Sequence, residues 1–308
     1  MTILYMHDAC ILHEVTIAHP ESPDRLRVLK STLSGEEFLA LDRRDAPRGT
    51  IEQIALMHSQ HHIEQITKTI PENEFIYLDG DTSLSSGSCE AALRGSGAVC
   101  AAIDSIMTGP ENNAFCAVRP PGHHAESDTA MGFCLLNNAA IGAAYARHKH
   151  KINRVAVMDF DVHHGNGTQA MFWSNPNLFY ASTHQMPLFP GTGAKSERGE
   201  HGNILNVPLR DGDGSLEFRS AMENIILPGL KDFKPELLII SAGFDAHFKD
   251  PLAGLRLVED DYAWVTLELL SIADKYAESR LVSVLEGGYN LDALASSVSI
   301  HVRKLMSV

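Results

Sequence analysis

Four short apolar runs in this 308-residue chain each stop abruptly at residues that do chemistry. Ala114–Arg119 leads into Pro-Pro-Gly-His123-His124, and Arg154–Asp159 into Phe-Asp161-Val-His163-His164. Glu236–Ser241 leads into Ala-Gly-Phe-Asp245, and Leu281–Leu285 into Glu-Gly-Gly-Tyr289. Runs of this length, rich in β-branched residues and bounded by Gly and Pro, read as buried strands of a parallel sheet. Ligands of open α/β sheets bind outside the carboxyl ends of the strands. The four ends should therefore bring two His, an Asp-x-His, a lone Asp and a Tyr onto one rim, a constellation that fits a metal hydrolase.

Helical patterns alternate with these runs, over Ser88–Met107, Cys134–Lys149, Leu216–Phe233, Asp260–Tyr276 and Leu291–Met306. The alternation predicts an α/β fold of three layers, with a mostly parallel central sheet and helices on both faces. No repeat, low-complexity tract or linker divides the chain, and the chemical motifs must converge, so residues 1–308 read as one domain. Leu12–Pro23, Phe75–Gly87 and Gln185–Gly202 lack periodicity. Loops of that length in a compact domain usually serve function, and these are expected to wall a substrate channel.

Hydrophobic content of 44% and charged content of 21% are those of a globular protein. A net charge of −14 without a Lys/Arg cluster argues against non-specific nucleic-acid binding. It suits a cationic substrate such as a polyamine or a Lys-rich peptide, although solubility alone accounts for it. The N-terminus has no basic segment followed by a signal-length apolar stretch, and nothing later is apolar enough to span a membrane, which points to the cytoplasm. Cys10, Cys89, Cys100, Cys116 and Cys134 are odd in number and scattered, and read as reduced thiols.

On a strand, residues two apart point to the same side, so Asp159, Asp161 and His163 should share a face while Phe160 and Val162 turn into packing. Asp161 and His163 can chelate one cation, with Asp245 as the best third ligand. Two carboxylates and an imidazole with an open position suit catalytic Zn2+, and Fe2+ or Mn2+ also fit such an N/O site. His123 and His124 can supply a base poised near neutral pH, and the Tyr289 hydroxyl a donor to a developing oxyanion. The remaining histidines read as structural or solvent residues: His58, His61 and His62 on a helix, His148 and His150 at a helix end, and His13, His184, His201 and His247 on loops or rims.

Arg119-Pro-Pro-Gly-His-His124, Asp159-Phe-Asp-Val-His-His-Gly165, Ser241-Ala-Gly-Phe-Asp245 and Glu286-Gly-Gly-Tyr289 together resemble the histone deacetylase family. Gly132-Phe133-Cys134, Phe189-Pro-Gly-Thr-Gly193 and His19-Pro-Glu-Ser-Pro23 add to the likeness, and Asn166 is similar to class II members and their bacterial relatives. The resemblance implies the arginase/deacetylase fold, one Zn2+ on Asp161, His163 and Asp245, and removal of acetyl or related acyl groups from the ε-amine of lysine. It implies that His124 is general base and then proton donor, that His123 is its electrostatic partner tethered to Asp159, and that Tyr289 stabilises the oxyanion. It places Asn166 where His124 finds its orienting group. Gly132, Phe133, Phe189 and Gly288 would contact substrate, and Asp81, preferred over Asp79, would clamp its backbone. Backbone oxygens of Asp159, Asp161 and His163, with Ser182, match a site for a monovalent cation such as K+. The implied partners are acylated lysine peptides or proteins, or acetylated polyamines, with no direct nucleic-acid or membrane partner; a homo-oligomer is compatible with all of this. Arginase-like ureohydrolases hold two Mn2+ ions, but Gly243 stands where they carry the first Asp of a D-x-D pair, which favours one metal. An acetylpolyamine deacetylase keeps the same catalytic residues, and a catalytically silent acyl-binding module would have lost one of them.

Overall fold

The computed structural model describes residues 1–72 and 74–307. Its strands are β1 (Thr2–Met6), β2 (Asp42–Asp45), β3 (Ile76–Tyr77), β4 (Ser83–Leu84), β5 (Asn113–Cys116), β6 (Val155–Asp159), β7 (Leu178–Gln185), β8 (Ile204–Leu209), β9 (Leu237–Ala242) and β10 (Leu281–Leu285). Eight of them form one sheet in the order β2-β1-β5-β10-β9-β6-β7-β8, and each neighbouring pair is parallel. The small β3–β4 pair is antiparallel and separate.

The four apolar runs that carry chemistry become β5, β10, β9 and β6, which are contiguous at the centre of the sheet. The chain leaves β5, builds β6, β7 and β8 outward, and returns to fill the gap with β9 and β10. All four carboxyl ends therefore open on the same edge. Every residue of these strands is buried, as expected for strands covered on both faces. The helices Ser88–Thr108 and Asn138–His150 pack together, as do Glu259–Tyr276 and Leu291–Leu305, and these pairs flank the central strands in the expected three-layer arrangement.

Four strands of the large sheet escape the apolar-run criterion for visible reasons. β7 is buried throughout but includes Ser182, Thr183, His184 and Gln185. β2 is an edge strand reading Asp-Arg-Arg-Asp, and β8 is an edge strand containing Pro208; charge and proline both protect exposed sheet edges. β1 precedes the first chemical motif and ends in none. The helix expected from Cys134 starts only at Asn138, because the Asn137 side chain accepts the Ala140 N–H (3.0 Å) as an N-cap. The helix expected over Leu216–Phe233 is interrupted by a π segment, Met222–Ile226. Pro228, at the start of the next helical segment, has no N–H to give the preceding turn.

Several histidines expected on loops or rims are core residues instead. His13, His184 and His247 are buried, His184 within β7, and His58 lies just before the helix Gln60–Lys68 and stacks on His62. His301 is the clearest structural case. The Thr266 hydroxyl donates to the Tyr262 carbonyl (2.6 Å), which leaves its oxygen to accept from His301 Nδ1 (2.6 Å). The Ser283 hydroxyl then donates to Nε2 (2.9 Å), so the neutral ring is fully satisfied.

Burial pushes His301 down to about 3 from its usual 6.5. His58 and His184 are held down to about 3 by burial and by a neighbouring imidazole. Folded values below the unfolded one mean that the unfolded chain binds more protons in acid. This contribution is complete above pH 6.5 and is lost as pH falls from there toward 3. Thermal midpoints measured between pH 7 and pH 4 should therefore fall for the native chain. His301→Gln should start lower at pH 7 and fall less steeply; parallel slopes would show that His301 does not control the acid limb.

Candidate active site

Beyond Asp159 the strand character of β6 ends, but residues 160–163 keep their alternation through a bend. Phe160 and Val162 enter the core, Phe160 against Phe244 and Tyr262, while Asp161 and His163 face the rim. Asp245, from the turn after β9, meets them. One donor atom each from Asp161, His163 and Asp245 lies within 4.8 Å of the others. His163 Nδ1 is 3.2 Å from Asp161 Oδ1 and 3.1 Å from Asp245 Oδ2.

The cradle is built by small residues and main-chain donors. The Gly287 N–H donates to Asp161 Oδ2 (2.8 Å) and the Val162 N–H to Asp245 Oδ1 (2.9 Å). A Cβ at Gly243 would stand 2.1 Å from Asp161 Oδ2, so the Asp of a D-x-D pair has no room there. Burial and the Asp161 charge push Asp245 up to about 7. Burial disfavours a charged His163 as well, but the two carboxylates outweigh it and raise the ring to about 10. Protons held in this way are what a divalent cation displaces on binding, and one imidazole with two carboxylates is a donor set that fits Zn2+, Fe2+ or Mn2+.

His123 and His124 leave β5 with ring centroids 4.0 Å apart. His123 Nδ1 donates to Asp159 Oδ2 (3.0 Å), which also accepts the Tyr180 hydroxyl (3.0 Å). Burial opposes a charge on His123, yet Asp159 and Asp161 hold its pKa well above the usual value. His124 goes the other way: burial, then the neighbouring His123 and His163, press it well below. Its Nδ1 is 2.8 Å from Asn166 Oδ1, and the Asn166 amide nitrogen donates to Glu126 Oε1 (2.8 Å), which fixes the amide orientation. Nδ1 of His124 is thus the donor, and Nε2 carries the free lone pair. Two adjacent imidazoles are driven to opposite protonation states, a pattern suited to acid and base roles.

Above these groups opens a cavity of about 240 Å3 lined by Asp81, His124, Gly132, Phe133, His163, Leu188, Phe189, Leu252 and Tyr289. Phe189 stands edge-on to His124 (5.0 Å) and Phe133 edge-on to Tyr289 (5.9 Å), so both are walls rather than core residues. Gly132 and Phe133 both have positive φ, +56° and +68°. A Cβ on Gly132 would lie 2.6 Å from His124 Cδ2 and 2.9 Å from Phe189 Cε1, so only glycine fits between these rings. The Phe133 N–H donates to Thr82 Oγ1 (3.0 Å), and His19 packs edge-on to its ring (4.7 Å). Tyr289 lies beneath the Arg25 guanidinium, 5.0 Å from its ring centroid. Burial and the Asp245 and Asp161 charges hold its hydroxyl well above the usual range, so it is a donor.

The expected walls come from the expected loops: Asp81 from Phe75–Gly87, Phe189 from Gln185–Gly202, and His19 beside Phe133 from Leu12–Pro23. Asp79 is turned away, accepting the Asp81 and Thr82 N–H groups (3.0 and 2.6 Å), which leaves Asp81 on the cavity. Gly288 does not line the cavity, contrary to expectation; its carbonyl accepts Arg25 Nε (2.7 Å) and it packs near Leu294 and Phe244. Ser182 pairs with Asp159 in the β6–β7 register, and its hydroxyl meets His184 Nδ1 (2.9 Å). Leu188, Leu252, Thr82, Tyr180 and Arg25 were not anticipated. Glu286 was legible only as part of a motif. It is fully buried, and burial pushes it up to about 7 although His123 pulls it down. All five cysteines are free, and burial raises Cys134, beside His123 and Glu286, well above the usual thiol range.

Comparison with known proteins agrees with this geometry. The model of the histone deacetylase domain matches residues 19–305. An uncharacterized protein of Synechocystis is 41% identical over 298 residues, covering 96% of both chains. A histone deacetylase-like amidohydrolase of Pseudomonas aeruginosa is 39% identical, covering 88% of this chain and 73% of its own. The crystal structure of an HDA15 HD domain superposes with a TM-score of 0.93 at 34% identity, covering 99% of this chain and 89% of the other. A matched domain that spans nearly the whole chain, on the same arginase-like sheet, places this protein in the histone deacetylase family.

Proposed function

We propose that residues 1–308 act as one cytoplasmic catalytic domain, a metal-dependent amidohydrolase that removes acetyl or related acyl groups from the ε-amine of lysine in peptides or proteins. The observation that carries this reading is a three-donor metal cradle at the floor of a narrow aromatic-walled cavity, with a neutral imidazole and a protonated tyrosine on its sides. Asp161, His163 and Asp245 would hold the ion, Zn2+ first, with Fe2+ or Mn2+ as alternatives. A divalent cation there supplies Lewis acidity that polarises the acyl carbonyl and makes water a stronger nucleophile.

The chain's own groups do the rest. His124 Nε2 takes the proton of the attacking water, since its Nδ1 is committed to Asn166. The same nitrogen then returns a proton to the leaving amine. His123, held cationic by Asp159, keeps His124 neutral until it takes the proton of the water. Tyr289 donates to the oxygen that becomes negative as the carbonyl carbon turns tetrahedral. Phe133, Phe189, Leu188 and Leu252 strip water from the lysine methylenes, while Asp81 at the mouth can accept main-chain N–H groups of a peptide. Ser182, with the backbone oxygens of Asp159, Asp161 and His163, is the proposed K+ position.

Lysine is favoured over an acetylated polyamine by where the loop acids lie. A polyamine carries further cationic amines beyond the acylated one and calls for acids around the mouth. Glu21 is buried against Arg119 and Arg25, and Glu14 and Glu74 line a different cavity. Among the described residues lining the tunnel, Asp81 is the single acid. Purified Zn2+-loaded protein should give a higher kcat/KM on an acetyl-lysine peptide than on acetylputrescine or acetylspermidine. Preference for a polyamine would overturn the substrate assignment, and binding without turnover of any of them would favour the acyl-binding module.

Asp161→Ala and Asp245→Ala should each abolish both bound metal, read by elemental analysis, and deacetylation. Tyr289→Phe should keep the metal while lowering kcat about 100-fold, the usual loss for one oxyanion donor; wild-type turnover would remove Tyr289 from this role. Asn166→Asp should raise the pKa of His124 by placing an anion on Nδ1. A base that protonates more readily is lost sooner as pH falls, so the acid limb of kcat/KM should move to higher pH. An unmoved limb would mean that His124 is not the titrating base.

A further inference from the structure

Glu286 is the one fully buried carboxylate next to the histidine pair to which the proposed chemistry gives no task. It follows β10 and begins the turn that carries Tyr289. Its Oε2 accepts the N–H groups of Gly122 (2.7 Å) and His123 (3.1 Å), and its Oε1 accepts the Ser241 hydroxyl (3.0 Å) from β9. The main-chain carbonyl of the same residue accepts Arg25 Nη2.

The two N–H groups have no other outlet of this kind. β5 ends at Cys116, so Gly122 and His123 lie beyond the reach of the sheet ladder, in a segment closed to water. Buried N–H groups are satisfied almost without exception, and here the acceptor is a side chain anchored on the neighbouring strand. The carboxylate therefore ties together the ends of β5, β10 and β9, which carry the imidazole pair, the tyrosine turn and the Asp245 turn. Its charge is redundant for His123, which already has Asp159 on Nδ1 and Asp161 near Nε2 (3.9 Å). Its acceptor geometry has no such substitute.

We infer that Glu286 is a positioning residue: its hydrogen bonds to the Gly122 and His123 N–H groups set the imidazole pair against the Tyr289 turn, so that base and oxyanion donor face the same carbonyl. This inference rests on the reading of His124 as the base. Glu286→Gln keeps one oxygen to accept both N–H groups and offers its amide to the Ser241 oxygen. Glu286→Ala removes both acceptors.

The experiment compares kcat, KM and zinc content of Glu286→Ala, Glu286→Gln, Glu286→Asp and His124→Ala on an acetyl-lysine peptide. Glu286→Ala should retain zinc and KM while losing about 100-fold in kcat, the scale expected when reacting groups are displaced by about an ångström. Glu286→Gln should restore most of that loss. Wild-type kcat in the alanine variant, or a glutamine variant as slow as the alanine one, overturns the inference; the second result would assign the effect to charge. Should Glu286→Ala fail to fold, Glu286→Asp decides, since it keeps the charge but withdraws the acceptor from the two N–H groups. A fall in kcat at constant KM supports positioning, and an unchanged kcat overturns it. His124→Ala separates the two levels: full activity there sinks the base assignment itself, whereas an inactive His124→Ala beside a fully active Glu286→Ala sinks only the role of Glu286.

Discussion

Asp161 and Asp245 are buried with carboxylate oxygens converging on one imidazole nitrogen, and much of the surrounding structure follows from that choice. Two anions cannot share a desolvated space unless donors, a proton or a cation compensate them. The fold supplies N–H donors from Val162, His163 and Gly287, removes side chains at Gly243 and Gly287 to make room, and leaves the remaining charge to be matched by an ion. A parallel sheet suits this arrangement because adjacent strands end on the same edge. Four neighbours can each deliver one polar group while their apolar bodies remain in the core.

Charge ordering extends outward from that pair. Asp159 is the next acid, and it is saturated by His123, the Tyr180 hydroxyl and the Asp161 N–H. Its anion fixes the proton on His123, and that positive charge depresses His124. The state of His124 is thus set by its burial and by the His123 and His163 rings beside it, while its hydrogen-bond partner Asn166 is neutral. The Asn166 amide orients the ring and raises its basicity by less than burial and the two neighbouring imidazoles lower it.

The motif strands were legible because each combines an apolar run with an abrupt change to polar residues and glycine, and they proved to be the four central strands. The cradle residues were legible through spacing, although the reason was partly different: Asp161 and His163 alternate through a bend rather than on the strand. β7 was not legible, since a buried strand may contain Ser, Thr, His and Gln when each finds a partner, as Ser182 and His184 do. Leu188 and Leu252 were beyond reach for another reason. A tunnel wall is made by loops brought together from distant positions, and one apolar residue in a loop has no periodicity to betray it. Gly288 shows the converse: the glycine beside Tyr289 serves backbone geometry and an arginine contact.

Arg25, Glu21 and Arg119 form a fully buried ionic group that a hydrophobic core would not need. Buried ion pairs are weak stabilisers, because desolvation offsets most of their attraction. Their value here is directional. Arg119 binds the carbonyls of Cys10, His13 and Glu21, which folds the Leu12–Pro23 loop against the end of β5. Arg25 binds the carbonyls of Glu286 and Gly288 and covers the Tyr289 ring. Glu21 joins the two guanidinium groups, so the loop that brings His19 to the tunnel wall is rigidly linked to the turn that carries the tyrosine. Apolar packing of equal volume would fill the same space but could not specify which carbonyls point inward. That specification keeps the phenolic hydroxyl on the tunnel side of a glycine-rich turn that could otherwise take several conformations.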